Sequence, residues 1–389
     1  MASMSETEKL ERIRREYERD AAERPLARTL DDVPAFYECI TSEWLTEVVR
    51  TRHPGATVTG FTLDERDSGT TNRRRIFLEY AAEDAGKGYP RSFFCKAAQE
   101  LANRITMSVG SAVGETRFYN DIRPTLSIDA PISYFAKVDP ISFRAIIVLE
   151  DMARDVEFCN YSTPTSLPRA QSQMELLAKL HGSYFESPDL DGWLSVLDTF
   201  PARFRRMADY HGLAKACDDG LVAAASVVPA SLLARRAEVW PRTMEAVDKI
   251  LTLPQSLTHG DVHLGNWYVR PDNQMGLSDY QNVTRGHWSR DVAYTISTSL
   301  EIEDRRRWER DLVALYIDLL AKNGGTPQSF EDGWLNYRQQ MLSVFAYWTV
   351  TLTPSPTMAQ DMQTRETTLC FLERIGQAIE DLDVMDAFD

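Results

Sequence analysis

The stretch HGDVHLGN, residues 259–266, decides how this chain is read. It places His259, Asp261 and His263 at alternating positions, with Asn266 five residues after Asp261. On an extended strand alternating side chains share one face, and a His, Asp, His set suits a zinc ion. The same residue types also form hydrogen-bonded turns with no chemistry. The aspartate-to-asparagine spacing offers a third reading, a carboxylate and an oxygen ligand at a phosphoryl-transfer centre. The remaining histidines (His53, His181, His211, His287) provide no second cluster for zinc.

The residues downstream separate these readings. Short strands are predicted around NWYVR and QMGLSDY, either side of the turn PDNQ, and the second ends on Asp279. Such a hairpin brings Asn266 and Asp279 towards one ion. Magnesium takes hard oxygen donors, usually one or two carboxylates with phosphates and water. Asp261 is then the group that accepts the proton of an attacking hydroxyl. An aspartate, an asparagine five residues on and a later aspartate occur in the same order in the catalytic and metal-binding motifs of protein kinases.

HGDVHLGN followed by LSDYQNVTRGHWSRDVAYTI (277–296) resembles the aminoglycoside phosphotransferase and choline kinase superfamily. Within it, the pattern is most similar to the ecdysteroid-kinase-like (CHK kinase-like) branch and its bacterial relatives. That pattern has an H-G-D-x-H-x-x-N loop, a D-W-Q-like motif and a later R-D-x-A-Y. Tyr280 stands where the pattern has tryptophan. The resemblance implies an α+β, two-lobed protein-kinase-like fold, with a small β-rich N-lobe and a larger helical C-lobe. It implies ATP and Mg2+ as cofactors, Asp261 as the catalytic carboxylate, and Asn266 and Asp279 as metal ligands. His259, His263 and Asp291 would support the loop without taking part in chemistry.

The N-terminal part supplies matching candidates. A kinase needs a strand lysine for the nucleotide phosphates and a helix glutamate to hold it. FFCKAA carries Lys96 inside an apolar strand, and GETRFYNDIRP resembles the superfamily's E-x-x-F-Y stretch, which places Glu115 on the next helix. The turn DSGTTNR lacks a G-x-G-x-x-G pattern. Its Ser68, Gly69, Thr70 and Thr71 offer backbone amides and hydroxyls to phosphate. In AIIVLEDM, Glu150, Asp151 and Met152 fall where the superfamily has the hinge whose backbone reads adenine.

The wider pattern agrees with two lobes. Strand-like runs (56–65, 73–82, 91–98, PISYFAK and SFRAIIVLE) precede residue 150, with one helix expected over 107–122. Helices are expected after it, over LPRAQSQMELLAKLHGSYFES, 220–250, 304–322, 330–352 and 357–383. The expected division is an N-terminal helical extension over 1–45, the nucleotide-binding N-lobe over 46–150 and the C-lobe with the acceptor site over 151–389. The 389 residues are 43% hydrophobic and 26% charged, with a net charge of −15. An acidic surface repels phosphate backbones, which argues against nucleic acid as a partner. No run approaches the ~18 apolar residues of a membrane span, and the five cysteines show no paired spacing. Both point to a cytoplasmic protein.

The acceptor is expected to be a small hydroxylated molecule, a largely apolar alcohol. The late helix carries Phe345, Tyr347 and Trp348, and no dense acidic cluster offers itself to a polyamine. The alternatives are an aminoglycoside or choline-type kinase, and a nucleotide-binding pseudokinase that regulates a partner. The complete set of Asp261, Asn266 and Asp279 argues against the pseudokinase.

Overall fold

The computed structural model describes residues 6–68, 71–84, 86–108, 112–360 and 362–388. The chain divides into two compact units, Met1–Thr125 with Pro131–Arg154, and Leu126–Ala130 with Asp155–Asp389.

The first unit contains α1 (Glu6–Glu23), α2 (Ser42–Arg50), β1 (Val58–Leu63), β2 (Asp67–Ser68), β3 (Asn72–Tyr80), β4 (Ser92–Ala97), α3 (Leu101–Thr106), α4 (Ala112–Arg117), β5 (Ser133–Val138) and β6 (Ala145–Glu150). Its sheet runs β1-β3-β4-β6-β5, every pairing antiparallel, with β2 folded back on β3. Side chains alternate across a strand, so Phe93 and Cys95 of β4 enter the core with Ile76, Ile146 and Val148. Lys96 takes the opposite face. Helix α2 starts at Thr41, whose side chain accepts from Trp44 N, and buries Trp44, Leu45, Val48 and Val49 in the same core. Helix α1 is fastened by Asp20, which takes hydrogen bonds from Arg104 (2.6 Å) and Arg144 (2.8 Å). The described residues of the helix expected over 107–122 are all helical. Helix α4 continues into a π-helical turn over Phe118–Ile122 and a 3-10 turn over Arg123–Thr125, where Pro124 cannot extend the ladder.

The second unit contains β7 (Glu157–Phe158), α5 (Leu167–Gly182), α6 (Phe200–His211), α7 (Leu213–Ala223), α8 (Ala230–Ala234), α9 (Arg236–Lys249), β8 (Ser256–Thr258), β9 (Trp267–Val269), β10 (Met275–Leu277), β11 (Thr284–Gly286), α10 (Ser289–Ser299), α11 (Ile302–Lys322), α12 (Phe330–Leu352) and α13 (Arg365–Asp381). The helix expected over 220–250 is three helices. Pro229 is extended at φ −57°, ψ 141° and begins α8, because proline disfavours continuing the preceding helix. Helix α10 is buried at every residue, against α5, α12 and α13. Its small polar residues make this possible. Thr298 Oγ1 donates to Tyr294 O (2.7 Å), so its hydroxyl stays satisfied without water. Among the described residues, no helix is long and apolar enough to cross a membrane.

Candidate active site

The site in the second unit is built on two short antiparallel pairings. Strands β8 and β11 pair as Thr258 with Thr284, and β9 and β10 pair as Trp267 with Leu277. The loop 259–266 runs between β8 and β9. One step beyond the hairpin pairing, Ser278 donates to Asn266 O from both N and Oγ, at 2.9 Å each. Asp279 therefore follows directly on a residue bonded to Asn266. Asp279 also adopts a left-handed backbone (φ 62°, ψ 64°), which costs energy for a non-glycine residue and is a mark of functional sites.

Asp291 holds the start of the loop. It is fully buried and accepts from His259 N (2.7 Å), Gly260 N (3.1 Å) and His181 Nε2 (3.2 Å). His181 in turn meets Tyr316 Oη through Nδ1 at 2.7 Å. Burial alone would raise the Asp291 pKa. The hydrogen bond from His181 and the positive charge of Arg290 help to outweigh it, and the carboxyl lies below its ordinary value. Gly260 has φ +82°, and a Cβ there would meet Asn282 O at 2.5 Å. The turn admits only glycine.

Both loop histidines are occupied by the backbone. His259 donates from Nε2 to Ser278 O (2.9 Å) and accepts at Nδ1 from Asp261 N (3.2 Å). Burial lowers its pKa and keeps the ring neutral. His263 Nδ1 accepts from Gly265 N (3.1 Å), and its ring packs on Trp348, with centroids 5.4 Å apart. Among the described residues, no three His, Cys, Asp or Glu side chains gather as a metal-holding group. The zinc arrangement considered for His259, Asp261 and His263 does not form.

Asp261 is half-buried and held by both oxygens. Tyr294 Oη donates to Oδ1 (3.1 Å) and Asn282 Nδ2 donates to Oδ2 (3.1 Å). Asn282 is itself fixed by Arg203, whose Nη2 donates to its Oδ1 (2.5 Å). Asn266 Nδ2 donates to Asp261 O (2.7 Å), which commits the amide nitrogen and leaves the side-chain oxygen as the coordinating end. An amide oxygen and the carboxylate of Asp279 are hard donors and fit magnesium.

In the first unit, Lys96 Nζ and Glu115 Oε1 form a buried ion pair at 2.7 Å. Thr71 is buried, and Ser68 pairs with Asn72 in the β2–β3 ladder. Gly69 and Thr70 lie outside the described residues. Glu150 ends β6, and its Oε1 accepts from Ile132 N (2.8 Å). Asp151 accepts from Ser92 Oγ (2.8 Å), and Met152 is buried.

Residues 166–327 match the phosphotransferase enzyme family, a span that contains the loop, the hairpin and α10. The structure of a choline kinase from Cryptosporidium parvum Iowa II is similar, with a TM-score of 0.53 and 11% identity over 85% of this chain and 93% of that one. The chain has the fold of the aminoglycoside phosphotransferase and choline kinase superfamily. An ethanolamine kinase from Plasmodium vivax aligns at a TM-score of 0.47 and 13% identity, over 83% of this chain and 81% of that one. An aminoglycoside phosphotransferase from Streptomyces rimosus aligns at 0.42 and 16%, over 76% and 96%. None of the curated proteins matches the chain. The likeness to the solved structures holds at the level of the fold.

Within this kinase-like fold, several residues at the site carried no role in the sequence reading. Tyr294 lies three residues after Asp291, so one helix turn presents both to the loop, and R-D-x-A-Y already contained that signal. Asn282 follows Asp279 by three residues, but nothing local ties it to Asp261. Arg203, Arg290 and His181 come from distant segments and left no readable pattern. Of the α12 aromatics singled out from the sequence, Phe345 and Trp348 are core and Tyr347 is partly exposed.

Proposed function

We propose that this chain is an ATP- and magnesium-dependent kinase that phosphorylates a hydroxyl group of a small molecule in the cytoplasm, with a largely apolar alcohol as acceptor. The observation that carries this reading is the carboxylate of Asp261. It is clamped on both oxygens by Tyr294 and Asn282, on the loop whose last residue, Asn266, is bonded to Ser278, the neighbour of Asp279. Fixed geometry is what a phosphoryl-transfer site contributes most, because the chemistry asks for positioning and charge stabilisation.

The acceptor oxygen attacks the γ-phosphorus of ATP while Asp261 receives its proton. The new P–O bond forms as the bond to the bridging oxygen breaks, and ADP leaves with that electron pair. Asn266 and Asp279 would hold magnesium, which supplies positive charge to the phosphate oxygens. Lys96, oriented by Glu115, would bind the nucleotide phosphates, with Ser68, Gly69, Thr70 and Thr71 covering them. Glu150 and Met152 would offer their backbone to adenine. His259, His263 and Asp291 keep the loop in shape.

The similar structures are named for choline, ethanolamine and aminoglycosides. An acceptor of that cationic kind is the second reading. The test is a thermal-shift screen with ATP and magnesium, followed by ADP release over sterols, terpenoid alcohols, choline and aminoglycosides at low and high salt. Turnover of apolar alcohols is expected, insensitive to salt. Salt-sensitive turnover confined to aminoglycosides or choline would replace the first acceptor class with the second.

A further inference from the structure

Any acceptor that reaches Asp261 must pass Tyr294 and Asn282, because these two side chains occupy its oxygens. Two guanidinium groups stand directly behind them. Arg203 fixes Asn282 and also reaches Gln281 O (3.5 Å). Arg290 is 2% exposed, donates from Nη1 to Gly260 O (2.7 Å), and leaves Nε and Nη2 buried without a hydrogen-bond acceptor. Its guanidinium lies over the rings of Phe200 (4.2 Å), Tyr347 (4.7 Å) and Tyr294 (5.4 Å).

The neighbouring arginines behave differently. Arg205 pairs with Asp248, Arg206 with Asp198 and Arg285 with Asp191. Among the described residues, neither Arg203 nor Arg290 has such a carboxylate partner. Buried charges are ordinarily paired, and stacking on aromatic rings compensates only in part. The surroundings of Asp261 therefore hold positive charge and aromatic surface, where a site for an ammonium group would gather carboxylates.

We propose that Arg203 and Arg290, with the rings of Phe200 and Tyr347, form a subsite for an anionic group of the acceptor, so that the molecule phosphorylated is a hydroxylated acid with an apolar body. Arg203, partly exposed, meets the anion. Arg290, walled off beneath the rings, adds charge from behind. The inference rests on the kinase reading of Asp261 and narrows its acceptor from an apolar alcohol to an acidic one.

The experiment uses the full chain and two matched acceptor series, each with one apolar body. The first is 3-phenyllactate, its amide and phenylalaninol. The second is 16-hydroxyhexadecanoate, its amide and 16-aminohexadecanol. ADP release gives kcat/KM for each. The anion is expected to exceed the amide and the amine by about tenfold or more in at least one series. Arg203→Gln should bring that preference to within about threefold. Melting temperature and MgATP affinity, measured alongside, separate loss of the subsite from loss of the fold. An amine or amide that equals the acid would overturn the proposal, as would a preference that survives Arg203→Gln. MgATP binding with no turnover of either acid would also overturn it. Failure to bind MgATP would strike the kinase reading instead.

Discussion

The loop 259–266 of the second unit and the Lys96 strand of the first both hold charge away from water, by different means. Lys96 and Glu115 neutralise one another directly at 2.7 Å. Asp291 is a buried carboxylate held by two backbone N–H groups and a histidine, and that histidine is held by a tyrosine. A direct pair spans a strand and a short helix and fixes one cation. A carboxylate bonded to successive backbone amides fixes the path of the chain, and with it every side chain the loop presents. The first device positions a residue; the second shapes a loop.

The largest expected effect lies at the tip of that loop. Asp261→Asn should lower phosphoryl transfer by about 100- to 10,000-fold while MgATP affinity and melting temperature stay close to the parent. Among the described residues its oxygens are bonded by Tyr294 and Asn282, and an amide keeps most of that contact. Comparable turnover in variant and parent would mean that the clamped carboxylate is merely structural.

Breaking the direct pair should cost stability as well as activity. Glu115→Leu takes the carboxylate away from the buried Lys96 ammonium, and removing one partner of a buried pair costs about 3–5 kcal/mol. The double variant Lys96→Met with Glu115→Leu should recover most of the melting temperature and none of the turnover. If the single and double variants melt alike, the two residues do not act as a pair.

Asp291→Ala should destabilise through a different route, by orphaning the His259 and Gly260 amides at about 1–3 kcal/mol each. Amide hydrogen exchange should speed up at these residues before the rest of the second unit. Uniform exchange would show that Asp291 supports the whole unit rather than the loop. Asp279→Ala should weaken MgATP binding and turnover together, because its proposed partner is the ion.

Acid should then act on the second device in small steps. Burial pushes His287 down to about 3 and holds His259 below the usual imidazole value. Both are neutral in the fold and charge more readily once unfolded. Their contribution is complete above pH 6.5 and is lost as pH falls, because the unfolded chain takes up protons that the folded chain refuses. Asp291, also depressed, follows at lower pH, its contribution vanishing as pH drops through its folded value. Melting temperature should therefore decline from pH 7 to pH 4, with the loop amides exchanging faster first. A flat profile would remove the buried histidines and Asp291 from the stability of the loop.

Much of the fold was legible because its signals are local. Period-two strands, the PDNQ turn and the 259–266 spacing are readable within a few residues. Helix ends were less legible. The break at Pro229 was hidden by apolar residues on both sides, and the π-helical turn after α4 reflects packing of Phe118, Tyr119 and Ile122, which no local propensity encodes.

The sequence by itself determined the chemistry that each unit offers: in the second an aspartate, an asparagine five residues on and an aspartate after one hairpin, and in the first a strand lysine with a helix glutamate. Those residues are close along the chain or carried by elements with strong periodicity. Only the tertiary structure decided what surrounds Asp261. Asn282, Tyr294, Arg203, Arg290, Phe200 and Tyr347 come from a turn and three helices, α6, α10 and α12, spread over nearly 150 residues. Their meeting follows from how buried helix faces pack, and packing specifies neighbours that no spacing in a linear sequence records.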